Sequence, residues 1–173
     1  PKGLVGSEMC IRDRINADQI VATGDEAEQL IKDAINYGTL CVSAEAVGCM
    51  ESCYLKTVEY TKSREQFGQP ISNFQVLQHK MVDMFIEAEL CKSLLYKSMI
   101  DMHENNDSKY RSVSALKSQV GLSGKKVGED AVQLHGGMGV SEEMSIGHYL
   151  KRFISIDSQF GNSHFHLKKF NNS

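Results

Sequence analysis

Apolar residues recur at helical spacing over three long stretches, and this periodicity constrains the fold more than any other feature of the chain. From Glu26 to about Ser63 the residues Ala27, Leu30, Ile31, Ala34, Ile35, Cys41 and Val42 line one face. The pattern then broadens through Ala46, Val47, Met50, Cys53 and Tyr54, as in a helix buried on more than one side. These 38 residues at about 1.5 Å each predict a rod of roughly 57 Å, a length typical of bundles. Gly38 and Gly48 weaken it locally and permit close approach of another element. The loop from Gly68 through Pro70 to Ser72 ends the pattern, with Ser72 or Asn73 available as the next cap.

A second helix follows, with Leu77, Met81, Met84, Ala88, Cys91 and Leu95 at heptad-like spacing. Its methionines and those after them (Met81, Met84, Met99, Met102) read as core filling rather than metal ligands. A polar turn from His103 to Ser108 leads to a third helix, from about Ser108 to Leu134. There Val113, Leu116, Val120, Val127, Ala131 and Leu134 form the seam, and Ser123 and Gly124 allow close packing. A shorter fourth helix spans roughly Glu142 to Ile156, followed by a loop at Gly161-Asn162 and a short helical tail. Helices joined by short loops predict an all-α, antiparallel up-down four-helix bundle.

Composition narrows the function classes. A net charge of −3 leaves no electrostatic footprint for nucleic acid. No apolar run approaches the roughly 20 residues of a membrane span. Cys10, Cys41, Cys49, Cys53 and Cys91 form no C-x-x-C pair and read as buried free thiols of a reducing compartment, the cytoplasm or a mitochondrial matrix. Pro1 to Arg14 fits neither the helical period nor the turn chemistry that follows. Its SEMCIRDR string resembles a translated sequencing adapter, so residues 1–14 are read as a non-native leader, with the native protein extending further upstream. Between Arg14 and Thr23 a short β-like stretch surrounds Ile20-Val21, and Asp25 is a candidate N-cap.

Two motifs carry chemistry. Tyr60-Thr-Lys-Ser-Arg64-Glu-Gln66-Phe67-Gly68 offers a guanidinium, an amide and an aromatic ring at the end of a long helix. Arg64 can grip phosphate oxygens bidentately, or serve only as a solvated helix-end cation. Gln133-Leu-His-Gly136-Gly137-Met-Gly139 offers an amide and bare backbone. These glycines exceed what a simple helix stop needs, and suit the cradling of a pyrophosphate or a ribityl chain.

Together with Phe74-Gln75, eleven residues beyond the arginine, these motifs resemble the C-terminal helical domain of the acyl-CoA dehydrogenase family, from Ile15 to Phe170. The resemblance implies a flavoprotein with FAD lying between subunits of a homo- or heteromeric dimer or tetramer whose core is the helical bundle. It implies that Arg64, Gln66, Phe67, Gln75, Gln133, Gly136 and Gly137 contact the adenosine diphosphate part of FAD, largely for a neighbouring subunit. Residues 15–25 would end a missing β domain or linker, and 26–173 would be the helical domain. The substrate implied is an acyl-CoA thioester, desaturated between its α and β carbons; the electron acceptor stays open.

The catalytic base departs from the family pattern. Members resembling this chain carry a Glu either before a Gly in the loop after the fourth helix or 26 residues ahead of the motif arginine. Those positions hold Phe160 and Gly38 here. Asp157 and Glu45 lie near in sequence, yet capping or surface roles suit them better. The tail from Phe160 to Leu167 resembles a subgroup that includes small subunits paired with a catalytic large one, so a non-catalytic partner subunit is a second expectation. A purely oligomerising bundle is a third. His164 and His166 form an H-x-H without a third ligand, and no metal site is expected.

Overall fold

The structure, a computed structural model, describes residues 17–172. Leader residues 1–14, including Cys10, and residues 15 and 16 lie outside the described part. The chain forms two compact units, one up to Ile35 and one from Asn36 onward. In the first unit a 3-10 turn, Ala17–Gln19, precedes a stretch without regular secondary structure. Ile20-Val21 is not a strand: among the described residues none pairs with it as a strand, and both side chains are exposed. Helix α1, Gly24–Ser63, begins at a glycine with φ +60°, so Asp25 lies in its first turn rather than at its cap. Its negative charge still meets the positive end of the helix dipole.

The second unit carries the bundle. It comprises the rest of α1, then α2 (Gln75–His103), α3 (Lys109–His135), α4 (Ser145–Ser158) and the tail helix α5 (Ser163–Asn171). The central helix is α3, packed against α2, α4 and α5. The core joins Met50 and Cys53 of α1, Met84, Ala88, Cys91 and Leu95 of α2, Leu116, Val120, Val127, Ala131 and Leu134 of α3, and Ile146, Phe153 and Ile156 of α4. Each buried Val, Leu, Ile, Met or Phe among them contributes about 1.5–3 kcal/mol of burial. Gly124 and Gly128 let α4 approach closely: a Cβ at either would stand 3.1 Å or less from Phe153 or Leu150.

The seam of α1 differs from the hydrophobic reading. Leu30, Ile31, Ile35 and Cys41 are exposed, whereas Asn36, Thr39, Ser43, Thr57 and Thr61 are buried beside Ala46, Val47, Met50 and Cys53. The hydroxyls satisfy themselves along the helix, Ser43 Oγ donating to Thr39 O at 2.7 Å and Thr57 Oγ1 to Cys53 O at 2.8 Å. Ser43 and Thr57 can therefore sit in the core on bonds to their own helix. Met99 is also exposed, so the methionine stripe is core only in part. Of the thiols, Cys53 and Cys91 are buried and pushed up to about 12 and about 11 by loss of solvent, Cys49 is half-buried, and Cys41 faces outward.

Two boundaries shift. Neither Ser72 nor Asn73 caps α2; they sit in a 3-10 turn, and Phe74 occupies the cap position without a side-chain bond. The fourth helix starts at Ser145, because a 3-10 segment, Gly136–Val140, and a turn occupy the preceding residues.

Candidate functional site

Arg64 is placed by a hairpin that helical periodicity gave no sign of. Strand β1 (Glu65–Gln66) pairs antiparallel with β2 (Gln69–Pro70). The two-residue loop between them has positive φ at both positions, Phe67 at 56° and Gly68 at 81°, as a type I′ turn requires. The arginine backbone is pinned on both sides: its N–H donates to Tyr60 O at 2.9 Å, and Ile71 N–H donates to its carbonyl at 2.8 Å. The exposed guanidinium makes no ion pair among the described residues.

This hairpin meets the end of α3. Arg64, Gln66, Gln133, Gly136 and Gly137 line one open groove of about 450 Å³, together with Tyr60, Ile71, Leu134, His135 and Met138. Phe67 and Gln75 are not among its lining residues. Phe67 is 91% exposed, with its ring edge-on to Phe74 at 6.1 Å, and Gln75 is the exposed first residue of α2.

The three glycines of the α3 turn have separate reasons. Gly136 has φ 59° and ψ −139°, a backbone that only glycine adopts comfortably. A Cβ at Gly139 would lie 2.7 Å from Val132 O, so the fold needs glycine there as well. Gly137 has neither constraint, and a Cβ there would enter open space. The fold does not require its bareness.

Tyr60 and His135 also belong to this site, although their motif positions gave them no role. Their rings stack at 4.2 Å and 20°, and Tyr60 Oη donates to His135 O at 3.4 Å. His135 is 3% exposed, and its Nδ1–H donates to Ala131 O at 2.8 Å, which leaves Nε2 as a buried acceptor without a partner. Burial lowers its pKa, keeping the ring neutral. The sequence signal available was a histidine one helical turn beyond an alanine carbonyl, next to the glycines.

Gly38 and Phe160, far apart in sequence, touch. A Cβ at Gly38 would stand 2.7 Å from Phe160 Cζ. Phe160 itself has φ 56°, and its carbonyl accepts from His166 Nε2 at 3.0 Å. Lys117, wholly buried, donates to the carbonyls of Ile156, Asp157 and Gly161 at 2.9–3.0 Å and so closes the end of α4. The neighbouring carboxylates are engaged. Asp157 Oδ1 accepts from Ser163 N–H at 2.9 Å, and Glu45 forms a two-bond pair with Arg152 at 2.5 and 2.8 Å. His166 is buried and His164 exposed, so the H-x-H pair does not converge.

A family profile described as the acyl-CoA dehydrogenase C-terminal domain matches residues 29–168. Acyl-CoA dehydrogenase IpdE2 of Mycobacterium tuberculosis is 32% identical over 130 residues, which is 74% of this chain and 39% of that protein. The solved structure of butyryl-CoA dehydrogenase from Megasphaera elsdenii matches with a TM-score of 0.86 at 25% identity, over 91% of this chain and 41% of that one. The structure of PigA with FAD and proline matches with a TM-score of 0.75 at 25% identity, over 80% of this chain and 36% of that one. The chain spans a little over a third of the length of the curated relatives it matches.

Proposed function

The chain belongs to the acyl-CoA dehydrogenase family, as its C-terminal helical domain, and on that premise we propose that its groove is half of an inter-subunit FAD site. The observation that carries this is the meeting of Arg64 with Gln133, Gly136 and Gly137 in one groove. The fit rests on two features: a guanidinium without a carboxylate partner, and a glycine whose missing side chain the fold does not require. Arg64 would hold the diphosphate bidentately, Gln66 and Gln133 would meet its polar edges, and Gly137 would admit it to the backbone. Phe67 and Gln75, beyond the groove, would reach the adenosine of the same cofactor. When bound, FAD supplies the hydride acceptor for α,β-desaturation of an acyl-CoA thioester. The bundle would form the oligomer core through the exposed apolar residues of α2, among them Val82, Ile86, Leu90, Tyr96 and Ile100. Among the described residues no helix is long and apolar enough to cross a membrane.

Titration of the chain with FAD, ADP and riboflavin tests the half-site. FAD and ADP should bind weakly and alike, riboflavin should not bind, and Arg64→Lys should weaken both nucleotides. The chain by itself should show no acyl-CoA turnover. Stoichiometric FAD retained through gel filtration, or riboflavin binding as well as ADP, would overturn this assignment.

A second reading, a non-catalytic partner subunit in a heteromeric enzyme, is favoured by the Gly38–Phe160 contact. A ring and a bare backbone fill the two places where the family's base would stand, and neither accepts a proton. Asp157 and Glu45 hold other bonds. A complete subunit carrying this domain should then be inactive alone and active only with a partner that bears the Glu. Full activity from that subunit alone would exclude this reading.

A further inference from the structure

A second cavity lies where the end of α2, the start of α3 and the end of α5 meet, within the second unit and with no lining residue shared with the groove. It has a volume of about 430 Å³. Leu94, Ala115 and Phe170 form its apolar walls, and Lys97, Ser108 and Arg111 contribute its polar groups.

The polar atoms around it sort by availability. Ser98 Oγ, in a residue 1% exposed, already donates to Ser112 O at 3.0 Å, and Ser112 Oγ donates to Asp101. The serines of the wall therefore have no proton left to offer, and that wall suits a hydrocarbon chain. Lys97 is compensated by Asp101 at 2.7 Å. Arg111 is not: its guanidinium lies over the Phe170 ring at 4.5 Å and makes no ion pair among the described residues. Ser108, at the cap position of α3, makes no side-chain capping bond, so its hydroxyl is free to donate. One uncompensated cation and one free hydroxyl thus accompany an apolar cavity.

We propose that this cavity binds a small amphiphilic monoanion, an unbranched aliphatic carboxylate, with its chain between Leu94, Ala115 and Phe170 and its carboxylate on Arg111 and Ser108. A guanidinium held over an aromatic ring keeps N–H groups that a carboxylate can take in the bidentate geometry. A phosphate dianion would leave one charge without a partner. A neutral alcohol accepts a single N–H bond and leaves the charge of the exposed guanidinium to water.

Octanoate, 1-octanol and acetate are the probes, titrated into the full 173-residue chain with amide NMR shifts at Ser98, Ser108 and Ser112 as the readout. Octanoate should saturate, with affinity rising about fourfold for each methylene from butyrate upward. Octanol should bind about tenfold more weakly and acetate not at all. Arg111→Gln should cost octanoate about tenfold and leave octanol unchanged. Ala115→Leu, which fills the cavity and keeps the helix, should abolish both. Equal binding of octanol and octanoate, an unaltered octanoate affinity in Arg111→Gln with native far-UV dichroism, or no saturable shift in the wild-type chain would each overturn the proposal.

Discussion

Phe67-Gly68 and Phe160-Gly161 have nearly the same backbone, a phenylalanine at φ 56° followed by a glycine at φ 81° or 100°. Around Phe160, whose ring is 46% exposed, the backbone groups are spoken for. Its ring lies on Gly38, its carbonyl takes the His166 proton, and Gly161 O takes one from Lys117. Around Phe67 little is. The ring is 91% exposed, and the arginine three residues earlier has no carboxylate partner among the described residues. A bulky residue in the left-handed region costs of order 1–3 kcal/mol and persists only where its surroundings hold it. At Phe160 the corner's own contacts supply that hold. At Phe67 two short strands supply it, and the side chain meets solvent. The same positive φ therefore serves a bonded structural corner in one place and, in the other, the open edge proposed for the cofactor.

Removing the hold at the closed corner should have the largest effect. Lys117→Met strips three carbonyls of their donor, and a loss of about 3–4 kcal/mol in urea unfolding is expected from groups costing about 1–3 kcal/mol each when left unpaired. A loss below 1 kcal/mol would mean that water replaces the ammonium easily and that the corner is not closed. Next comes the ring itself. Gly38→Ala should destabilise by about 1–3 kcal/mol through overpacking against Phe160. In a Phe160→Ala background the same change should turn stabilising, by up to about 1 kcal/mol, because alanine is the better helix former. If the sign does not reverse, the two residues are not in contact. At the open edge, Phe67→Ala and Gly137→Ala should leave stability within about 0.5 kcal/mol while weakening ADP binding. A thermal melt beside a nucleotide titration separates the two effects.

How much of this was legible in the sequence depended on whether apolar character and burial coincide. They coincide along α3, where Val113, Leu116, Val120, Val127, Ala131 and Leu134 are all buried as their spacing predicts. They part along α1, where Thr39, Ser43 and Thr57 are buried and Leu30, Ile31 and Ile35 are not. Hydroxyls that bond back to their own helix behave as small apolar groups, and hydrophobic period cannot see them. Lys117 escaped for a related reason. A charged residue reads as surface, and only the three carbonyls gathered at the end of α4 explain its burial. In the groove the motif glycines and Arg64 were legible because backbone freedom and a guanidinium are residue-type properties. The stacking of Tyr60 on His135 depends on how α1 crosses the end of α3, which no local pattern encodes.

The contact between Gly38 and Phe160 has a consequence for how this chain can change over generations. The two positions share one volume, so a change at either is felt at the other. A larger side chain at 38 must push the half-exposed ring at 160 aside, whereas losing the ring first meets no such crowding. A lineage that places a carboxylate on α1 at this point therefore takes the less crowded route through a chain with neither group.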